Sequence, residues 1–269
     1  MDFRSQFRVP PDTPVDLSRY DPESTDGIHD KAVAKALLEA DVDRLDKLQY
    51  LLYAENGRAL LVVLQGMDAA GKDGTIRHVM RGVNPQGTRV TSFKKPSAEE
   101  LDHDYLWRIH EAVPRIGNIG IFNRSHYEDV LVVRVHNLVP QAVWSKRYDQ
   151  INRFEENLAE NNIVILKFFL NISKEQQKRR FQKRLDDPKR HWKISEADFA
   201  ERKYWDDYIE AFEAVLSKTS TDWAPWFVIP SDNKWFRNVA VSRIIVDTLE
   251  GLDMKMPEPS VDVSKIVLE

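Results

Sequence analysis

The chain constrains its own fold most strongly between Leu60 and Asp73. An unbroken apolar run, Leu60-Leu-Val-Val-Leu64, reaches Gln65 and gives way at once to the glycine loop Gly66-Met-Asp-Ala-Ala-Gly-Lys-Asp73. The loop has G-x-x-x-x-G-K spacing, carried by Gly66, Gly71 and Lys72. A buried strand that feeds such a loop, with a helix behind it, makes a cradle of backbone N–H groups and one lysine for phosphate. An unliganded strand-turn-helix can share the spacing. The uninterrupted strand before this loop and the helical stretch after it set it apart. The N–H groups from Gly66 through Ala69, Ala70, Gly71, Asp73 and Gly74 are the expected phosphate contacts. After Lys72 stands Asp73, where Ser or Thr would ordinarily meet Mg²⁺. Asp68, inside the loop, is the natural metal ligand instead.

The rest of the chain repeats an alternation of strand and helix. The strand expected at Ala59–Gln65 shows no in–out alternation, as suits a parallel strand covered on both faces. Further strands are expected at Arg89–Phe93, Ile119–Phe122, Val164–Ile172 and Trp226–Pro230. Before the first strand, Leu38, Val42, Leu45, Leu48 and Leu52 recur three and four apart. They predict one long helix from about Asp30 to Asn56, stopped by Gly57. Other helices are expected at Gly74–Gly82, from the capping box of Ser97 and Glu100 to Ala112, at Gln141–Asn162, at Glu196–Thr219 and at Lys234–Leu252. Alternating strands and helices imply an α/β fold with a doubly wound parallel sheet between layers of helix. With 269 residues and no Gly/Ser linker, one domain is expected over 28–269, preceded by an extended arm over 1–27 rich in Pro, Asp and Ser.

Composition closes off several alternatives. The chain has no cysteine, so disulfides, thiolate chemistry and cysteine metal sites are excluded. No apolar stretch approaches the roughly 20 residues needed to span a bilayer. The N-terminus lacks the apolar core of a secretion signal. A cytoplasmic protein with no membrane partner is expected. The net charge of −4 supplies no global field for nucleic acid or another polyanion, so an anionic partner must meet a local basic patch.

Such a patch lies between Lys178 and Lys193, with Lys178, Arg179, Arg180, Lys183, Arg184, Lys189, Arg190 and Lys193 opposed only by Asp186 and Asp187. On a helix, Arg179/Lys183 and Arg180/Arg184 are like-charge i,i+4 pairs, which repel. A polyanion facing the segment would relieve that repulsion, whereas a solvated helix face is the plain alternative. Asp187-Pro188 breaks the helix and offers a hinge for a lid. Nearby Trp192, Tyr204 and Trp205 suit base stacking or a helix core. A third element follows the third strand: Asn123-Arg-Ser-His-Tyr-Glu-Asp129. Ligands of α/β sheets gather at the carboxyl ends of strands. Arg124 can grip a phosphate with two parallel bonds. Asn123, Tyr127, Glu128 and Asp129 are candidate nucleotide contacts, and Glu128 and Asp129 suit either a second metal or the capping of a short helix.

Together these elements resemble the polyphosphate kinase 2 family. The loop Gly66–Gly74, the segment Asn123–Asp129 and the arginine-rich stretch after Ser173 carry the resemblance. The phrases Asp104-Tyr-Leu-Trp107, Leu166-Lys-Phe-Phe169 and Ala224-Pro-Trp226 extend it from about Asp21 to near the end. It is nearest the class III branch, which phosphorylates AMP and ADP. The resemblance implies a P-loop kinase fold with a helical lid at about 174–203, similar to thymidylate kinase. It implies transfer of the terminal phosphoryl group of inorganic polyphosphate to AMP and ADP, with Mg²⁺ or Mn²⁺ in its place. It assigns the metal to Asp68, the loop cation to Lys72, the phosphate clamp to Arg124 and the lid contacts to Arg179, Arg180 and Arg184, beside which Lys183 is a further candidate phosphate contact. Many relatives end the third strand with Asp, where this chain has Asn123. A homo-oligomer, tetramer or dimer, is also implied. An ATP-dependent nucleoside-monophosphate kinase shares fold, loop and lid and is the rival reading. A nucleic-acid-binding module built on the basic segment is the more distant one.

Overall fold

A computed structural model describes residues 2–266, with residues 197 and 198 as backbone only. Five strands form one sheet: β1 (Ala59–Gln65), β2 (Thr88–Ser92), β3 (Ile119–Asn123), β4 (Ile163–Asn171) and β5 (Trp226–Pro230). Their order is β2-β3-β1-β4-β5, and every pairing is parallel. The central strand β1 is buried along its whole length, which is why its sequence shows no alternation. From β1 the chain crosses to the edge strand β2, returns to β3 and then passes over β1 to β4 and β5, so the connections of β1 and β3 leave in opposite directions and the carboxyl ends of these two strands frame the usual ligand position of such sheets.

Helix Lys31–Glu55 and helix Lys234–Glu250 pack against one another on one face. The first is capped by the Asp30 carboxylate, which accepts from Ala32 N at 2.7 Å. Asn56 ends it in the left-handed conformation, the role expected one residue later at Gly57. Helix Arg147–Glu160 and helix Trp205–Thr219 lie together elsewhere on the sheet.

Three expected helices are divided. The span after Ser97 holds Ala98–Leu101 and Trp107–Ala112, because the Asp104 side chain accepts from Leu106 N at 2.9 Å and turns the chain. The span from Gln141 holds Gln141–Trp144 and Arg147–Glu160. The span from Glu196 holds Glu196–Glu201, a tight turn at Arg202–Tyr204, and Trp205–Thr219. Trp205 is buried with the core, whereas Trp192 is exposed.

The first residues are not simply extended. Phe3–Phe7 form a short helix whose two phenylalanines are buried against Phe236, with ring centroids 5.8 and 6.0 Å away. Arg8 then bridges antiparallel to Phe227, and Val15 N donates to Ser217 Oγ at 2.8 Å. Two buried phenylalanines contribute roughly 1.5–3 kcal/mol each, enough to hold this segment on its own chain.

Candidate functional site: a phosphate loop, a clamp and a basic helix

The loop leaves β1 at Gly66 and enters helix Lys72–Val79 at Gly71. Gly71 has φ +113°, and a Cβ there would come within 1.8 Å of Arg237 Nη1. Only glycine allows that turn and that approach. Ala69 is also left-handed, with φ +62°. The lysine lies under the loop: Lys72 Nζ donates to Gly66 O at 2.6 Å and Met67 O at 3.3 Å. Burial lowers its pKa, and so does nearby Arg124, against the opposing pull of Asp68, Glu128 and Asp73.

Across the loop, β3 delivers Arg124, whose φ of +61° is rare for a non-glycine residue. Its Nη2 donates to Asp68 Oδ1 at 2.9 Å, and its Nη1 lies 3.8 Å from Glu128 Oε2. Burial works against the charge of Arg124. Glu128 and Asp68 outweigh it and raise the guanidinium pKa, so Arg124 stays cationic. Lys72, Asp68, Arg124 and Glu128 thus form one charged group at the carboxyl ends of β1 and β3. Asn123 Nδ2 donates to Asp73 Oδ1 at 2.7 Å, which joins the two loops.

The other expected nucleotide contacts sit elsewhere. Tyr127 is wholly buried and cannot touch a nucleotide. Asp129 points away, its Oδ1 accepting from Arg147 Nη1 at 2.9 Å, and burial raises its pKa despite Arg147. Ser125 begins the turn with its Oγ accepting from Tyr127 N at 3.2 Å, which throws residues 125–127 inward.

The basic helix Lys174–Leu185 crosses above the loop. Arg179 and Lys183 are exposed and Arg184 is partly buried. Arg180, expected to meet phosphate, is instead buried and occupied. Its Nη1 donates to Ala69 O at 2.7 Å and Ala70 O at 2.9 Å. Its Nη2 donates to Asp232 O at 3.0 Å and to Ser231 O. The fork binds the phosphate loop to the turn after β5. A face of the helix that packs on carbonyls and a face that meets phosphate carry the same residue type, so the i,i+4 pattern could not separate them. Gln177 Nε2 adds a bond to Asp68 O at 3.0 Å.

Sequence reading missed Arg237 and Lys234. Arg237 is buried beside Gly71, its Nη1 donating to Ala70 O at 3.1 Å and its Nη2 to Asn238 Oδ1 at 2.8 Å. Burial and the neighbouring Arg180 pull its pKa down to about 9. Lys234 is lowered by burial and by Arg180, Arg237, Arg190 and Lys183. These cations come from two stretches well separated in sequence and share one field, with carbonyl and amide oxygens as the partners of Arg180 and Arg237. Tyr208 was missed as well. Its hydroxyl donates to Glu201 Oε2 at 2.7 Å, and burial, Glu201, Glu128 and Asp68 all raise its pKa.

A cleft of about 310 Å³ opens beyond β2, lined by Arg89, Phe93, Lys94, Lys95, Glu100 and Arg108 among others. Ser92 pairs with Asn123 in the sheet, so the cleft adjoins the end of β3. The donor set around Asp68 fits a hard divalent cation. Mg²⁺ binds through one or two carboxylates and completes its shell with phosphate and water. Asp68 and, across Arg124, Glu128 offer such oxygens, and no cluster of three or more ligating side chains exists among the described residues.

A family model described as polyphosphate kinase 2 matches residues 28–257. The chain is 55% identical over 265 residues to an AMP/ADP-polyphosphate phosphotransferase of Meiothermus ruber, covering 98% of this chain and 99% of that protein. It is 48% identical to an ADP-polyphosphate phosphotransferase of Rhodopseudomonas palustris, over 94% and 92% of the two chains. The crystal structure of polyphosphate kinase 2 from Arthrobacter aurescens TC1 superposes with a TM-score of 0.95 at 46% identity, over 98% of this chain and 94% of that one.

Proposed function

Because this chain belongs to the polyphosphate kinase 2 family, we propose that it transfers the terminal phosphoryl group of inorganic polyphosphate to AMP and to ADP, giving ADP and ATP. The observation that carries the reading is the convergence of Lys72, Asp68 and Arg124 at the carboxyl ends of β1 and β3.

Phosphoryl transfer needs positioning and charge neutralisation more than covalent chemistry. Direct in-line transfer therefore suits the site. Phosphate at the loop replaces the carbonyls of Gly66 and Met67 as the partner of Lys72 Nζ. Arg124 turns its fork from Asp68 to the phosphoryl oxygens and neutralises charge that spreads in the transition state. Asp68, released from Arg124, would hold a divalent cation such as Mg²⁺, with Glu128 close by, and such an ion would supply charge neutralisation and orientation of phosphate oxygens. Exposed Arg179 and Lys183, with Arg184 and Lys234, offer the path for the polymer. The cleft beyond β2, edged by Lys94 and Lys95, offers room for the acceptor next to Asn123. Closure of the segment at about 174–203 excludes water from the reacting phosphates.

The same reading expects a cytoplasmic enzyme. No described helix is long and apolar enough to cross a membrane. It also expects a homo-oligomer, and exposed Val33, Tyr50 and Tyr53 on helix Lys31–Glu55 are apolar surface available for self-association. Purified protein incubated with Mg²⁺, polyphosphate and AMP should accumulate ADP first and ATP after it. Transfer from ATP but not from polyphosphate would reverse the reading in favour of a monophosphate kinase.

A further inference from the structure

Between the two charged residues of the β3 loop that face the site, three residues turn inward. Ser125, His126 and Tyr127 are buried, while Arg124 and Glu128 flank them on the open side. Beneath lies a buried charge pair that no step of phosphoryl transfer uses. Lys167 stands in the middle of β4 and Glu155 on helix Arg147–Glu160, both essentially without solvent contact, with Nζ and Oε2 2.5 Å apart. The Tyr127 hydroxyl links them. It accepts from Lys167 Nζ at 2.8 Å and donates to Glu155 Oε1 at 2.8 Å. His126 Nε2 lies 3.1 Å from the same carboxylate oxygen. Lys167 also donates to Thr219 O at 2.6 Å, at the end of helix Trp205–Thr219. On the other side, Gln65 Nε2 of β1 donates to Ser125 Oγ at 3.1 Å.

A buried ion pair is a weak source of stability, since apolar residues of the same volume often serve as well. What it supplies is direction. Each donor and acceptor has one place to go, and a loop satisfied this way has one conformation. We propose that Tyr127, with the Glu155–Lys167 pair, forms a positioning set that fixes the backbone of the loop from which Arg124 and Glu128 reach the phosphate site. Tyr127 is three residues from Arg124, and Arg124 N is itself tied to Leu64 O at 3.1 Å. Loss of the hydroxyl anchor lets the segment between these two fixed points shift, and Arg124 with it. A displacement near 1 Å costs roughly a hundredfold in rate where geometry carries the chemistry.

The inference rests on the reading of Arg124 as phosphate clamp, and wild-type turnover of polyphosphate with AMP checks that reading separately. Tyr127→Phe removes one oxygen and keeps the ring contacts to His126 and Trp226. The kcat should fall about tenfold while KM for AMP and polyphosphate moves less than about twofold, because the interaction lost belongs to the transition state. In an Arg124→Lys background the same substitution should cost less than about twofold, since the group it positions has gone. The paired variant Glu155→Leu, Lys167→Met removes both charges at similar volume. It leaves Tyr127, His126 and the Thr219 carbonyl without those partners, so Tm should fall by about a few degrees with circular dichroism unchanged, while kcat falls as it does in Tyr127→Phe. Full kcat in the folded paired variant would overturn the proposal. So would an equal loss from Tyr127→Phe in both backgrounds, or a lowered Tm with unchanged kcat.

Discussion

Arg180 and Arg179 are neighbours on one basic helix, yet the structure buries the first and exposes the second. Replacing Arg180 by Met fills much the same space and removes four donated bonds, to the carbonyls of Ala69, Ala70, Ser231 and Asp232. Hydrogen bonds from a charged group contribute about 1.5–3 kcal/mol each, and they are not additive. Relief of a buried cation, whose pKa burial already lowers, offsets part of the loss. A net destabilisation of about 3 kcal/mol follows. For a chain of this size that corresponds to a fall in Tm of about 6–12 °C, read by calorimetry. Two of the freed carbonyls, those of Ala69 and Ala70, belong to the phosphate loop, so kcat should drop about tenfold or more through misplacement of Lys72 and Asp68. Neither loss should depend on salt, because the bonds are buried. Arg179→Met should do the reverse. Its side chain is exposed, so Tm should hold within about 2 °C while KM for polyphosphate rises, and the rise should shrink as salt increases. An Arg180→Met variant with native Tm and a salt-sensitive polyphosphate KM would refute this reasoning and return Arg180 to the polymer.

Lys72→Ala and Asp68→Asn should each cut turnover by about a hundredfold, measured as ADP formed from AMP, with circular dichroism unchanged. Burial holds the Lys72 pKa below its ordinary value in the free protein, and a bound anion should raise it. The sign follows: the anion prefers protonated Lys72, so tripolyphosphate affinity falls with rising pH once free Lys72 starts to lose its proton, and binding takes up protons on the alkaline side. Calorimetry in buffers of different ionisation enthalpy should detect that uptake, and its absence would show that Lys72 is fully protonated in the free protein. Glu128→Gln should change the preference between AMP and ADP without abolishing either step, because Glu128 lies at the edge of the Arg124–Asp68 contact rather than within it. Loss of both steps together would place Glu128 in the transfer itself.

The strand Ala59–Gln65 was legible in the sequence, since an unbroken apolar run that ends at a glycine loop is what a central parallel strand buried on both faces requires. The loop behind it followed from spacing, because its glycines answer a backbone requirement that no other residue meets. The alternation of strands and helices determined the fold class, and the place of Arg124 just past a strand end put its charge beside the loop. These are local facts, and local sequence states them. The direction in which a side chain leaves a loop or a helix is not local. Tyr127 and Glu128 are adjacent, yet Lys167 and Glu155, distant in sequence, draw one into the core and leave the other at the site. Arg180 and Arg179 are equally alike on paper, and only the carbonyls of Ala69 and Ala70 across the interface separate them. Arg237 and Lys234 lay in an unremarked helix until the sheet order brought that helix beside Gly71. Chemistry type and spacing are carried by the chain itself. Which of several like residues meets the ligand depends on what stands opposite, and tertiary packing alone decides that.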